Sequence, residues 1–242
     1  MESNLIMSWE QIVHLGNELP LLEQLNLSYN KLAIPEDLQN LTEFRTYNAR
    51  DETVVVENNM FTNLKSLVFI KCGLTWSKLS VLSKLFPNTE ELILCLNSCN
   101  DFDNISSEAY QNFKNLKKLN LDANNIVSTT PENSSIKKLS NFHNLVELKL
   151  AENNIEYFPN ADQHKSLNYI NLEKNEISNS KIITDLSKAP FLSTIRIFKN
   201  PICDSAGTRH VRNRLVGEIK TLTSVNGTEV TRYDRRDFEI YY

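Results

Sequence analysis

Four cysteines (Cys72, Cys95, Cys99, Cys203) and four histidines (His14, His143, His164, His210) are the residues of this 242-residue chain best able to do chemistry. A thiol beside an imidazole would make an activated nucleophile, and closely spaced Cys and His pairs would hold zinc. The spacing supports neither. There is no CxxC pair, Cys95 and Cys99 stand four apart, and the histidines are scattered. No Gly-rich phosphate loop occurs, and no pair of carboxylates is placed for acid–base work. The chain reads as a non-enzyme without metal or cofactor, and Cys95 and Cys99 as packing residues. The side chains left to act are those that meet a partner, so the elements that would display them decide the reading.

Those elements are repeats. "LKKLNLDANNI" at Leu116 returns as "LVELKLAENNI" at Leu145, "LNYINLEKNEI" at Leu167 and "LSTIRIFKNPI" at Leu192. "LEQLNLSYNKL" at Leu22, "LKSLVFIKCGL" at Leu64 and "TEELILCLNSC" at Thr89 fit the same frame, and "LTEFRTYNARD" at Leu41 is a degenerate copy. Eight units thus begin at 22, 41, 64, 89, 116, 145, 167 and 192. The pattern L-x-x-L-x-L-x-x-N-x-L is the leucine-rich repeat. Its L-x-L core is a strand of period two with leucines pointing inward. One repeat cannot bury them alone, and stacking makes a continuous core. The spacing therefore predicts an α/β solenoid, a horseshoe with a parallel sheet on the concave face, helices and irregular turns on the convex face, and a C-terminal helical cap. Asn30, Asn97, Asn124, Asn153, Asn175 and Asn200 form a ladder whose amides satisfy turn backbone. Cys72 takes one rung as a weaker partner.

Residues 1–202 are read as about eight repeats plus an N-terminal helix, and 203–242 as the cap. Together they form one continuous domain, a fragment of a larger protein. "SWEQIVHLGNELP" places Trp9, Ile12, Val13 and Leu19 on one helical face. Thr75 caps a helix carrying Trp76, Leu79, Leu82 and Phe86. "SKIITDLSK" is a short helix, and "EYFPNADQHKS" an extended or 3-10 connection. Two inserts, 49–60 and 128–135, interrupt the repeats. In the cap, Val211, Leu215 and Ile219 mark an amphipathic helix, Asn226-Gly227 a turn, and Thr231 with Asp234 the start of a last helix. Phe238 and Tyr241 or Tyr242 are available to lie on the final core layer, and the arginines of that stretch to pair with Asp234, Asp237 and Glu239.

The formal net charge of −4 gives no push toward nucleic acid or an anionic membrane. No signal peptide or apolar run long enough to span a bilayer is present. The five N-x-S/T sequons are as many as chance gives in this composition. The chain reads as soluble, monomeric and of a reducing compartment. The outward slots of the repeats carry six acidic and seven basic residues by our count, a mixture unlike a nucleic-acid groove. Val68, Ile70, Ile93, Cys95 and Leu96 cluster in adjacent repeats, flanked by Tyr29, Tyr47 and Lys71. That cluster is either a partner-binding patch or core covered by insert 49–60. Arg196, Phe198 and Lys199 on the last strand form a second candidate, beside a basic cap helix.

Three segments carry a family resemblance spanning nearly the whole chain. "MSWEQIVHLGNELPLLEQLNLSYNKL", "CGLTWSKL" and "EIKTLTSVNGTEVTRYDRRDFEIYY" resemble the opening, a G-[IL]-T-W segment and the capping segment of the repeat region of tubulin-folding cofactor E. In the cap, Asp234, Arg235, Arg236, Glu239 and Tyr242 occupy the matching places. The resemblance implies a cytoplasmic, cytoskeleton-associated module that binds α-tubulin. With other tubulin cofactors, it would help assemble and disassemble the α/β dimer. Members of the family place a CAP-Gly domain before the repeats and a ubiquitin-like domain after them, neither of which fits within this sequence, and shorter cofactor-E-like relatives lack the first. The cap is shared more loosely with phosphatase-regulatory and ribonucleoprotein repeat proteins, so a general scaffold is the alternative.

Overall fold

A computed structural model describes residues 9–30, 46–47, 53–54, 61–130 and 134–241, with backbone alone at 10, 46–47, 53–54 and 237–241. It comprises two compact units, Met1–Leu116 and Lys117–Tyr242.

The first unit opens with α1, Trp9–Glu18. Trp9, Ile12 and Val13 are buried, while Leu19 lies past the helix end and is 46% exposed, off the face its spacing suggested. Strand β1 (Gln24–Asn26) follows. The described part of the degenerate repeat gives β2 (Thr46–Tyr47) and β3 (Thr53–Val54), which pair with each other as an antiparallel hairpin. β1 bonds instead to β4 (Ser66–Val68), and β4 to β5 (Glu91–Ile93), both in parallel. The composition explains the skip. Thr46 and Ala49 occupy the slots that Leu27 and Asn30 fill in the first repeat, so that copy has neither the second inward leucine nor the turn amide. In the three paired strands Leu25, Leu67 and Leu92 lie in register and are almost fully buried.

Behind β4, helix α2 (Trp76–Leu82) continues as a 3-10 turn, Ser83–Leu85. Thr75 caps it, its hydroxyl accepting from the Lys78 N–H at 3.4 Å. The next repeat locks it. Asp101 accepts the N–H groups of Trp76 (2.7 Å) and Ser77 (3.2 Å), and the Trp76 indole donates to the Cys99 carbonyl. The "LTW" motif is thus accounted for as architecture. A short helix α3 (Ser107–Asn112), capped by Ser106, completes the unit.

The second unit carries β6 (Lys118–Asn120), β7 (Val127–Ser128), β8 (Glu147–Lys149), β9 (Asn154–Ile155), β10 (Tyr169–Asn171) and β11 (Thr194–Arg196). β6, β8, β10 and β11 pair in parallel in that order, aligning Leu119, Leu148, Ile170 and Ile195 in the core. β7 and β9 form a second, two-stranded parallel ladder. The connections are a 3-10 stretch at Ser135–Asn141, another at Ala161–Gln163 and helix α4, Lys181–Leu186. The described ends of the polar insert, Ser128 and Ser134, meet each other. Ser128 is buried, and its hydroxyl meets the Ser134 hydroxyl and the Tyr157 carbonyl.

The cap follows β11 as α5 (Pro201–Ser205), α6 (Thr208–Glu218), the hairpin β12 (Ser224–Val225) and β13 (Thr228–Glu229), and α7 (Arg232–Tyr241). Val211, Leu215 and Ile219 are buried, as their spacing predicts. β12 adds a parallel strand to β11, and Asn226 (φ 52°) with Gly227 (φ 79°) makes the left-handed two-residue turn into β13. Thr231 and Asp234 form a reciprocal capping box, with each side chain accepting the other's backbone N–H. The described bonds of the cap arginines go mainly to backbone and ring, while the side chains of Asp237 and Glu239, two of the expected partners, lie outside those described. Arg235 donates to the Val216 and Leu222 carbonyls, Arg212 to the carbonyl of Glu229 and to Asp234, and Arg236 stacks over the Tyr233 ring. The side chains of Phe238, Tyr241 and Tyr242 lie outside those described.

Candidate partner-binding faces

Each face is held by the turn that ends its strands. The residue before every ladder position has a left-handed backbone. In the first unit these are Tyr29, Lys71 and Leu96; in the second, Ala123, Glu152, Lys174 and Lys199, all with φ between 52° and 59°. None is glycine, so each carries a penalty of about 1–2 kcal/mol. The ladder residue that follows offsets it. Asn97 accepts the N–H groups of Cys72 and Leu74 and donates to the carbonyls of Phe69, Leu94 and Cys95. Asn153 accepts from Asn124 and Ile126 and donates to Leu121, Leu150 and Ala151. Asn175 and Asn200 repeat the arrangement. At Cys72 the thiol meets the Leu27 and Ile70 carbonyls, at 3.2 and 3.5 Å, and the backbone of Asn30 and Tyr29. This turn projects six of the seven residues into solvent. Sequence reasoning missed the left-handed geometry; its one legible signal was the fixed place before the asparagine.

On the first unit, the register sets Asn26, Val68 and Ile93 side by side. Val68, Ile70, Ile93 and Cys95 are partly exposed, and Tyr29 and Leu96 stand 45% and 48% exposed at the strand ends. Lys71 lies between them, exposed, its N–H bonded to the Cys95 carbonyl at 3.1 Å. Ser66 donates to Glu91 at 2.7 Å at the opposite end of the patch. The structure therefore brings Tyr29, Val68, Ile70, Lys71, Ile93 and Leu96 onto one surface. Tyr47 is in β2, outside that ladder. Insert 49–60, the proposed cover, lies outside the described residues except Thr53–Val54.

The second unit's face is dominated by ion pairs. Lys149 meets Glu147 at 2.9 Å, Lys174 meets Glu152, and Arg196 meets Glu173 at 3.1 Å. Asp122 accepts the Ala151 N–H at 2.7 Å, and burial raises its carboxyl above the ordinary value. Arg196 is thus not the free cation that would steer an acidic partner. Phe198 is 43% exposed beside it, and Lys199 is exposed.

Of the groups that first suggested chemistry, Cys72, Cys99 and Cys203 are buried thiols, each pushed up by burial. His164 is buried against Phe158, and burial lowers it to about 4. No group of three or more His, Cys, Asp or Glu among the described residues is arranged to hold a metal. No described helix is long and apolar enough to cross a membrane.

No protein-family model matches the chain. Curated relatives do. Tubulin-folding cofactor E of Arabidopsis thaliana is 30% identical across the entire chain, which covers 43% of that protein. The chain matches tubulin-folding cofactor E along its whole length. Tubulin-specific chaperone E of Mus musculus is 27% identical with the same two coverages. The tubulin-specific chaperone cofactor E-like protein of Rattus norvegicus is 25% identical, and the chain covers 53% of it. The chain thus spans about half the length, or less, of the curated relatives it matches. Among solved structures, a leucine-rich repeat protein of Leptospira interrogans superposes with a TM-score of 0.58 at 20% identity, over 99% of this chain and 57% of that one. That likeness shows the leucine-rich repeat fold alone.

Proposed function

We propose that this chain is a tubulin-binding chaperone module. It takes part in folding, assembly or dissociation of the α/β-tubulin dimer by protein–protein contact, alongside other tubulin cofactors, as a monomer in the cytoplasm and at the cytoskeleton. The observation that carries this reading is the full-length match to tubulin-folding cofactor E. The geometry supports it. A solenoid presents its strand face to proteins, and this one displays an apolar patch in one unit and compensated charges in the other. Such a surface suits a folded protein and not a polyanion.

The test is direct binding of the purified chain to the α/β-tubulin dimer by ultracentrifugation, with a phosphatase catalytic subunit and RNA as competitors. A stable complex with tubulin alone is expected. Retention of the phosphatase or RNA, with tubulin left free, would overturn the reading in favour of a general scaffold.

A further inference from the structure

We infer that the first unit's face, rather than the second's, is the docking surface. Its occupant is a folded-protein surface in which an apolar side chain stands beside a carboxylate, the carboxylate meeting Lys71. This rests on the tubulin reading and specifies the chemistry of the contact.

Two observations carry it. The first is charge accounting. In the second unit Lys149, Lys174 and Arg196 are each neutralised by a glutamate of the same face, whereas the exposed Lys118 and Lys199 are, like Lys71, without an ion pair among the described residues, so what sets Lys71 apart is its apolar setting. Lys71 makes no ion pair among the described residues, and Glu91, a described acid on the same face, is engaged by Ser66. A partner carboxylate at Lys71 would complete in trans the pairing that Glu152 and Lys174 make in cis from the same slot. The second is the setting of that charge. Val68, Ile70 and Ile93 form a contiguous apolar surface, and the left-handed turns fix Tyr29 and Leu96 beside Lys71. An ion pair at the margin of an apolar contact gives orientation and on-rate, while the apolar part gives residence time.

Binding of the α/β-tubulin dimer to the full chain tests the inference. Lys71→Glu is the principal variant, since Glu152 occupies the equivalent left-handed slot and shows that glutamate fits there. We expect Lys71→Glu to weaken binding about tenfold at low salt and about twofold in half-molar salt, as screening of a surface charge requires. Ile70→Asp with Ile93→Asp should weaken it at least about tenfold at both salts, with the unfolding midpoint tracked to show that the fold persists. Arg196→Glu and Lys199→Glu should stay within about twofold.

Wild-type binding by Lys71→Glu and by the aspartate pair, with loss in Arg196→Glu or Lys199→Glu, would overturn the inference and leave the tubulin reading standing. Failure of the unmodified chain to bind tubulin would overturn both. Self-association abolished by Ile93→Asp would assign the patch to a second copy and equally overturn it.

Discussion

Asn153 holds five backbone groups of two repeats with one side chain. Truncating it strands the buried N–H groups of Asn124 and Ile126 and takes a donor from three carbonyls, of which Ala151 and Leu150 keep the Ala123 N–H and the Asn175 amide. Asn153→Ala should therefore lower stability by about 3–4 kcal/mol in urea unfolding. Cys72→Ala, removing a thiol whose hydrogen bonds are weak, should lower it by only about 1 kcal/mol. His164 makes a different prediction. Burial holds its folded value at about 4 against an ordinary 6.5, with the charge of Asp162 opposing weakly. The unfolded chain therefore takes up the proton first as pH falls through 6.5. The stability conferred by a neutral His164 is full above that value and lost progressively down to about 4. Between about pH 7.5 and pH 5 the loss should be about 2 kcal/mol. Denaturation of His164→Leu at the two pH values should show that part of the slope gone.

Among the elements, α7 is held at its described end by polar contacts. Its capping box fixes where it starts, and Arg235 ties it to the last turn of α6 and to the segment before β12 through the Val216 and Leu222 carbonyls. Arg235→Met keeps the length of the side chain but removes the donors. It should cost about 2 kcal/mol by leaving both carbonyls unpaired. Thr231→Ala should cost about 1 kcal/mol through the cap alone. The second and larger element-scale lesson is the hairpin of β2 and β3. A repeat that has lost its second leucine and its turn amide does not enter the ladder, and β1 passes directly to β4.

At the scale of the molecule, a stack of repeats must cover its last layer, and here the cap does so by adding β12 to β11 and packing Val211, Leu215 and Ile219 behind it. Deleting Thr231–Tyr242 removes the arginine ties that hold this cover. The melting temperature should fall by about 5–10 °C. An unchanged melting curve in scanning calorimetry would show the segment to be a solvated tail. This is the reading its dense charge first invites.

The sequence by itself determined the repeat, its frame, the inward leucines, the amide ladder and the cap helix. Those depend on spacing within one unit, and a period of two or a fixed asparagine is visible locally. It also determined the list of residues that point outward. Only the tertiary structure decided which of those are at liberty. Arg196 and Lys174 look as free as Lys71 along the chain, yet each meets a glutamate about twenty residues away in the neighbouring repeat. Pairing across repeats depends on register and side-chain reach, which no local pattern encodes. The same holds for Leu41–Asp51, where the motif half survives. Its described strand, β2, pairs with β3, while β1 pairs with β4.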